Sequence, residues 1–224
     1  MLELSRSDVL VDLCTQREYF DPSSPRCCRN ASHVLPNLRR LMALARWARL
    51  PVLSCVDARR PNQIDPGEFS LAMGNGDPTR RKAPYTLLPR RMLVESDNCL
   101  CVPLDLLKVH RQTIFTKYHR DPFTNPKLDR LLTEMPAGRF VAFGAPVETS
   151  LRILVLGLMR RGRSVVLLED ACGFWSPDEA AMVLRQLSVK GASLLSTNQF
   201  VETEYARLGA IGSRRRQSRG RSVA

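Results

Sequence analysis

Short runs of apolar, β-branched residues alternate with segments of helical periodicity from one end of the chain to the other. Asp8 to Leu13 is such a run, followed by His33 to Leu50 with Val34, Leu38, Leu41, Met42 and Ala45 on one stripe. Pro51 to Val56 is a second run, closed by Asp57. Strand, helix, strand with short connections is a βαβ signature. The pattern returns at Arg139 to Gly144, with a helix over Val147 to Arg161 that stops at Gly162. Ser164 to Leu168 is the next strand, with Glu169-Asp170 at its polar end. Pro177, Asp178 and Glu179 then open a helix to about Lys190, where the helix dipole favours acids. Ala192 to Thr197 reads as a last strand and Phe200 to Leu208 as a last helix. Near-continuous apolar strands separated by helices imply a sheet buried on both faces. The expected fold class is α/β: a three-layer α/β/α arrangement around a mostly parallel, Rossmann-like sheet.

Arg59 to Pro103 breaks the alternation. It holds six prolines and three glycines and reads as long irregular excursions, which in compact domains tend to be functional. Thr113 to Thr116 is a short strand ending at Lys117, and Leu128 to Met135 a short helix.

The 224 residues suit one domain, over 1–210, with a basic tail over 211–224. The formal net charge is +12, and Arg214, Arg215, Arg216, Arg219 and Arg221 crowd that tail without an acid. The tail lacks the apolar residues that would offset its ordering entropy, so it is expected to be disordered. Its arginines suit weak anion or nucleic-acid contact, and no aromatic residue is there to stack on bases. No apolar run reaches the ~18–20 residues of a membrane span. The N-terminus has no secretory pattern, so a cytoplasmic location is expected. Seven cysteines, an odd number without zinc-ribbon spacing, do not suggest disulfide staples. Cys14, Cys55 and Cys172 sit in or beside apolar runs and read as small buried hydrophobes.

Open parallel sheets bind ligands beyond the carboxyl ends of their strands. Those ends nominate Asp12, Asp57, Lys117 and the turn from Gly144 to Ser150. An acid, a lysine and a hydroxyl at the start of a helix is a set suited to acyl transfer.

Several blocks, in order, resemble one family. Val11-Asp12-Leu13-Cys14-Thr15-Gln16-Arg17-Glu18-Tyr19-Phe20 resembles its aspartate strand, and Lys82 to Pro89 the segment after its metal loop. Lys117 with Asp121, Phe123, Asn125 and Pro126 resembles its lysine block, and Phe143 to Ser150 its nucleophile turn. From about Val9 to Thr197 the chain is similar to the isochorismatase-like cysteine hydrolases. The resemblance implies a catalytic set of Asp12, Lys117 and Ser150, with serine where the family has its cysteine. It implies an oxyanion turn at Ala145-Pro146 and a substrate pocket using Gln16, Phe20, Asp57, Arg59 and Phe123. Pro146 is able to keep the family's cis turn but has no N–H to donate; alternatively it only starts the helix. The family's metal-binding Asp-x-His reads Asp57-Ala58-Arg59, so neither a metal nor another cofactor is expected. Arg59 either replaces the ion's charge or forms a surface salt bridge.

Two functions follow. One is a hydrolase of small molecules, cleaving a vinyl ether with Asp12 as acid or an amide or other C–N bond through Ser150. The alternative is a catalytically inactive pseudoenzyme that binds a ligand or serves assembly. The resemblance also implies a homo-oligomer, and the lack of a long apolar run means that no membrane partner is expected.

Overall fold

The computed structural model describes residues 8–58 and 80–220, the last ten of these as backbone alone. Arg59 lies outside them. Seven strands form one sheet: β1 (Val9–Leu13), β2 (Val52–Asp57), β3 (Arg91–Val94), β4 (Gln112–Lys117), β5 (Phe140–Gly144), β6 (Val165–Cys172) and β7 (Ser193–Leu195). Their order is β3-β4-β2-β1-β5-β6-β7 and every pairing is parallel. The helices are α1 (Ala31–Ala48), α2 (Leu106–Val109), α3 (Pro126–Glu134), α4 (Arg152–Arg160), α5 (Pro177–Val189) and α6 (Thr197–Gly220). α1 packs beside α6, and α4 beside α5. The three-layer α/β expectation therefore holds.

The central strands β1, β2, β4 and β5 are buried almost throughout, which is why they read as continuous apolar runs. α1 meets the sheet with Val34, Leu38, Leu41, Met42 and Ala45, all inaccessible to solvent. Local chemistry fixes the helix starts. Asn125 accepts from the N–H groups of Lys127 and Leu128 at the head of α3, with Pro126 at the first helical position. Ser176 and Pro177 do the same for α5.

Three features depart from the sequence reading. β3 lies within the stretch read as irregular; it is an edge strand with two exposed residues, so it lacks a buried-strand signature. β6 continues to Cys172, past the Glu169-Asp170 pair that was read as its polar end. Asp170 turns to the next element, accepting from the Thr197 N–H and hydroxyl at the start of α6. The α6 backbone runs to Gly220, into the segment read as a tail.

Parallel register aligns the site. Asp57 and Lys117 are direct cross-strand neighbours at the ends of β2 and β4. Leu13 at the end of β1 is opposite both Cys55 and Gly144. Gly144 has φ +124°, and a Cβ there would lie 1.9 Å from the Leu13 carbonyl oxygen, so only glycine fits.

Candidate active site

A cavity of about 320 Å³ opens at the carboxyl edge of the sheet. Its lining includes Tyr19, Arg26, Asp57, Ser150 and Trp175. At its floor lies Lys117, 1 % exposed. The ammonium donates to Asp57, to the His119 carbonyl at 3.1 Å and to Ser150 Oγ at 3.4 Å. The other Asp57 oxygen accepts from the Tyr19 hydroxyl at 2.6 Å, and Arg26 donates to that same phenolic oxygen at 2.8 Å. Arg26 also pairs with Glu18, toward which Arg80 points.

These contacts set the protonation states. Burial alone would raise Asp57, but the Lys117 charge and hydrogen bond, with Tyr19 and Arg26, hold it below the usual carboxylate range. Burial works against the Lys117 ammonium, yet the charge and hydrogen bond of the Asp57 carboxylate hold it above an ordinary lysine. Tyr19 is pushed up by burial and by the Asp57 carboxylate. The Cys14 thiol, wholly buried beside Lys117, is raised chiefly by desolvation, so it is a neutral neighbour and no nucleophile.

Ser150 sits in a widened π turn, Val147–Leu151, where the Leu151 N–H reaches back to the Pro146 carbonyl at 3.3 Å. Such turns are frequent at functional sites. The Ala145-Pro146 peptide is cis. The Ala145 N–H is bound to the Leu13 carbonyl at 2.9 Å and the Val147 N–H to the Gly173 carbonyl at 2.9 Å. Proline has no N–H. The Ala145-Pro146 turn thus offers the cavity no backbone donor.

The structure brings Lys117, Ser150 and Asp57 together and leaves Asp12 outside. Asp12 is fully buried; its Oδ2 accepts from Lys82 and from Ser54 Oγ at 3.0 Å. The strand end beside Lys117 is occupied by Cys14, two residues on, in a left-handed turn with φ 51°. Gln16 is a positioning residue: its side chain bonds the Asp57 N–H and carbonyl and the Arg80 carbonyl. Phe20 lines a separate cavity with Tyr85 and Leu35. Phe123 packs against Gly157, where a Cβ would meet its ring at 2.0 Å, and carries Arg161 at 3.9 Å from its centre. Gln16, Phe20 and Phe123 are therefore not among the residues lining the cavity.

Tyr19, Arg26 and Trp175, absent from the sequence-level site, are its main walls. Their signal was weak, because Tyr19 lies in a short 3₁₀ turn, Arg26 in a loop and Trp175 between β6 and α5. Glu148 holds Trp175 in place by accepting from the N–H groups of Trp175 at 2.7 Å and Ser176 at 2.9 Å.

The donors around Asp57 do not suit a divalent ion. Both its oxygens are engaged, one by an ammonium. Among the described residues no three His, Cys, Asp or Glu converge.

A parallel sheet with a cavity at its carboxyl edge, and a lysine beside a helix-start hydroxyl, define a hydrolase-like three-layer α/β protein. More particularly, the chain belongs to the isochorismatase domain family, whose model matches residues 8–199. A search of curated proteins finds no match. Among solved structures it is similar to a cysteine hydrolase from Pseudomonas syringae, at 13 % identity and TM-score 0.68, covering 89 % of this chain and 92 % of that one. It is also similar to a zinc-complexed pyrazinamidase from Pyrococcus horikoshii, at 15 % identity and TM-score 0.64, covering 85 % and 99 %. A ribonuclease from Caenorhabditis elegans matches at 15 % identity and TM-score 0.60, covering 88 % and 81 %. At these identities the likeness concerns the fold. Among the described residues no helix is long and apolar enough to cross a membrane.

Proposed function

We propose that this isochorismatase-family chain binds a small anionic ligand in the strand-end cavity and does not carry out acyl transfer there. The observation that carries the reading is the Lys117 environment. An ammonium bound to Asp57 stays charged at neutral pH and cannot take the Ser150 proton. No other basic side chain is hydrogen-bonded to Ser150 among the described residues. A serine hydroxyl needs such a base. The donor-free Ala145-Pro146 turn adds to this, since one lost oxyanion donor costs on the order of 100–1000-fold in rate. Asp12, already engaged by Lys82, is not placed to protonate a vinyl ether in the cavity.

The ligand class follows from the walls. Arg26, Arg80 and Arg120 favour a negative group, and Tyr19, Tyr118 and Trp175 favour a flat, unsaturated body. Nicotinate and benzoate are suitable probes. In a Trp47→Phe variant, Trp175 is the remaining tryptophan, and either acid is expected to change its emission saturably. Nicotinamide is expected to go unhydrolysed. Turnover of ~1 per second or more, lost in Ser150→Ala, would overturn the proposal, as would the absence of any saturable emission change.

A further inference from the structure

The amino edge of the sheet holds a second cavity, of about 420 Å³, at the opposite end from the site above. Its lining is Arg46 and Arg49 from the end of α1, Leu88, Pro89 and Arg90 just before β3, and Arg111 just before β4. Four arginines meet there, and among the described residues no aspartate or glutamate lines the space. Among the described residues none of the four forms an ion pair. Among the described residues, of the four only the Arg46 side chain is tied down, donating to the Tyr85 and Leu87 carbonyls at 3.2 and 3.1 Å. The carboxyl end of α1 supplies only about half a negative charge to offset them.

The backbone adds an independent observation. Arg49 has φ 56° and Arg90 has φ 54°. Left-handed conformation suits glycine, and a long side chain there stores strain. Two of the three non-glycine residues with positive φ among the described residues are thus arginines on one cavity. Arg111 is also held below the ordinary arginine range, by burial and by the charges of Arg49 and Arg90. These mutually repelling cations on strained backbone lack, among the described residues, the counter-charge that would make the arrangement favourable.

We propose that this cleft binds a diphosphate group, either as pyrophosphate or as the diphosphate of a nucleotide. Several guanidinium groups match phosphate oxygens in paired, charge-assisted hydrogen bonds. The apolar wall of Leu88 and Pro89 suits a compact ligand, and among the described residues no aromatic side chain lines the cleft to stack successive bases.

The test is calorimetric titration of the full chain with pyrophosphate and with ADP at ~0.1 M salt, a strength at which isolated surface charges are already screened beyond about 10 Å. At least one of the two is expected to bind with a Kd well below 1 mM. Arg111→Ala is expected to weaken that binding about tenfold or more, the loss of a hydrogen bond to a charged group. Arg90→Gly removes a charge and relieves the left-handed backbone, so it should weaken binding while the apo Tm stays at or above wild type. That result separates lost recognition from lost folding. Failure of both probes to saturate, or affinities unchanged in both variants, would overturn the proposal. So would a single-stranded oligonucleotide that binds more tightly than either probe, because the face would then belong to nucleic acid.

Discussion

Replacing Asp57 by Asn tests the electrostatic core of the candidate site. The carboxylate serves two donors, Lys117 with one oxygen and Tyr19 with the other at 2.6 Å. Asparagine has one acceptor oxygen, so one of those donors is left facing an amide. Breaking a buried ion pair by removing one partner costs about 3–5 kcal/mol. The Asp57 side chain is 19 % exposed and the Lys117 side chain 0 %, so the low end, about 3 kcal/mol, is expected. For a domain of this size that lowers Tm by about 6–12 °C. The pH dependence gives a second reading. In the wild type the folded-state pKa of Lys117 is raised, so its contribution is present below the unfolded value and is lost only as pH rises through the folded one. Without Asp57, burial dominates and the folded value falls below the unfolded one. The variant then gains stability as pH climbs from neutrality toward ~10.4, the unfolded lysine value. Urea unfolding followed by circular dichroism at pH 7 and 9.5 should show a large gap at the lower pH and a smaller one at the higher. A loss below about 1 kcal/mol at pH 7, the size of an exposed pair, or a gap unchanged with pH, would refute the reasoning.

Two further predictions concern groups outside that pair. Lys82→Met leaves the Asp12 carboxylate buried with, among the described residues, only Ser54 donating to it. It should cost about 3–5 kcal/mol, and adding Asp12→Asn should recover part of this; chemical denaturation of the three variants checks the coupling. Native alkylation by iodoacetamide, read by mass spectrometry, should label Cys99 and Cys101 first. Both are exposed, and Cys99 is held below the usual thiol value by hydrogen bonds from Cys101. Cys14, Cys55 and Cys172 should label only on unfolding, since burial raises all three and pushes Cys55 up to about 12.

Much of the architecture was legible because a parallel sheet covered on both faces writes itself as uninterrupted apolar runs. Val9–Leu13, Val52–Asp57 and Phe140–Gly144 are such runs, and the strand-end rule then led to Lys117, Asp57 and Ser150. β3 was not legible, because Arg91 and Met92 face solvent on an edge strand and neither reads as buried. Gln16, Phe20 and Phe123 sit near the right segments, but packing decides which way each points. Gln16 ties the Arg80 backbone to the end of β2, and Phe123 fills the space that Gly157 leaves beside α4.

Asp12 shows why a strand-end carboxylate is a weak guide by itself. Side chains along a strand alternate between faces, so a shift of one residue changes which layer a group meets. Asp12 meets Lys82, seventy residues away in sequence, and Ser54 on the neighbouring strand. No periodicity announces that pairing. The turn at Cys14 then places a sulfur, two residues later, beside the lysine that the sequence reading had matched with Asp12. Lys117 therefore takes its negative partner from the adjacent strand, where parallel register sets Asp57 opposite it. This exchange of partners matters chemically. Among the described residues, an ammonium paired with Asp57 and flanked by the neutral, wholly buried Cys14 thiol has no group beside it placed to relay the Ser150 proton, whereas its charge remains available to a bound anion.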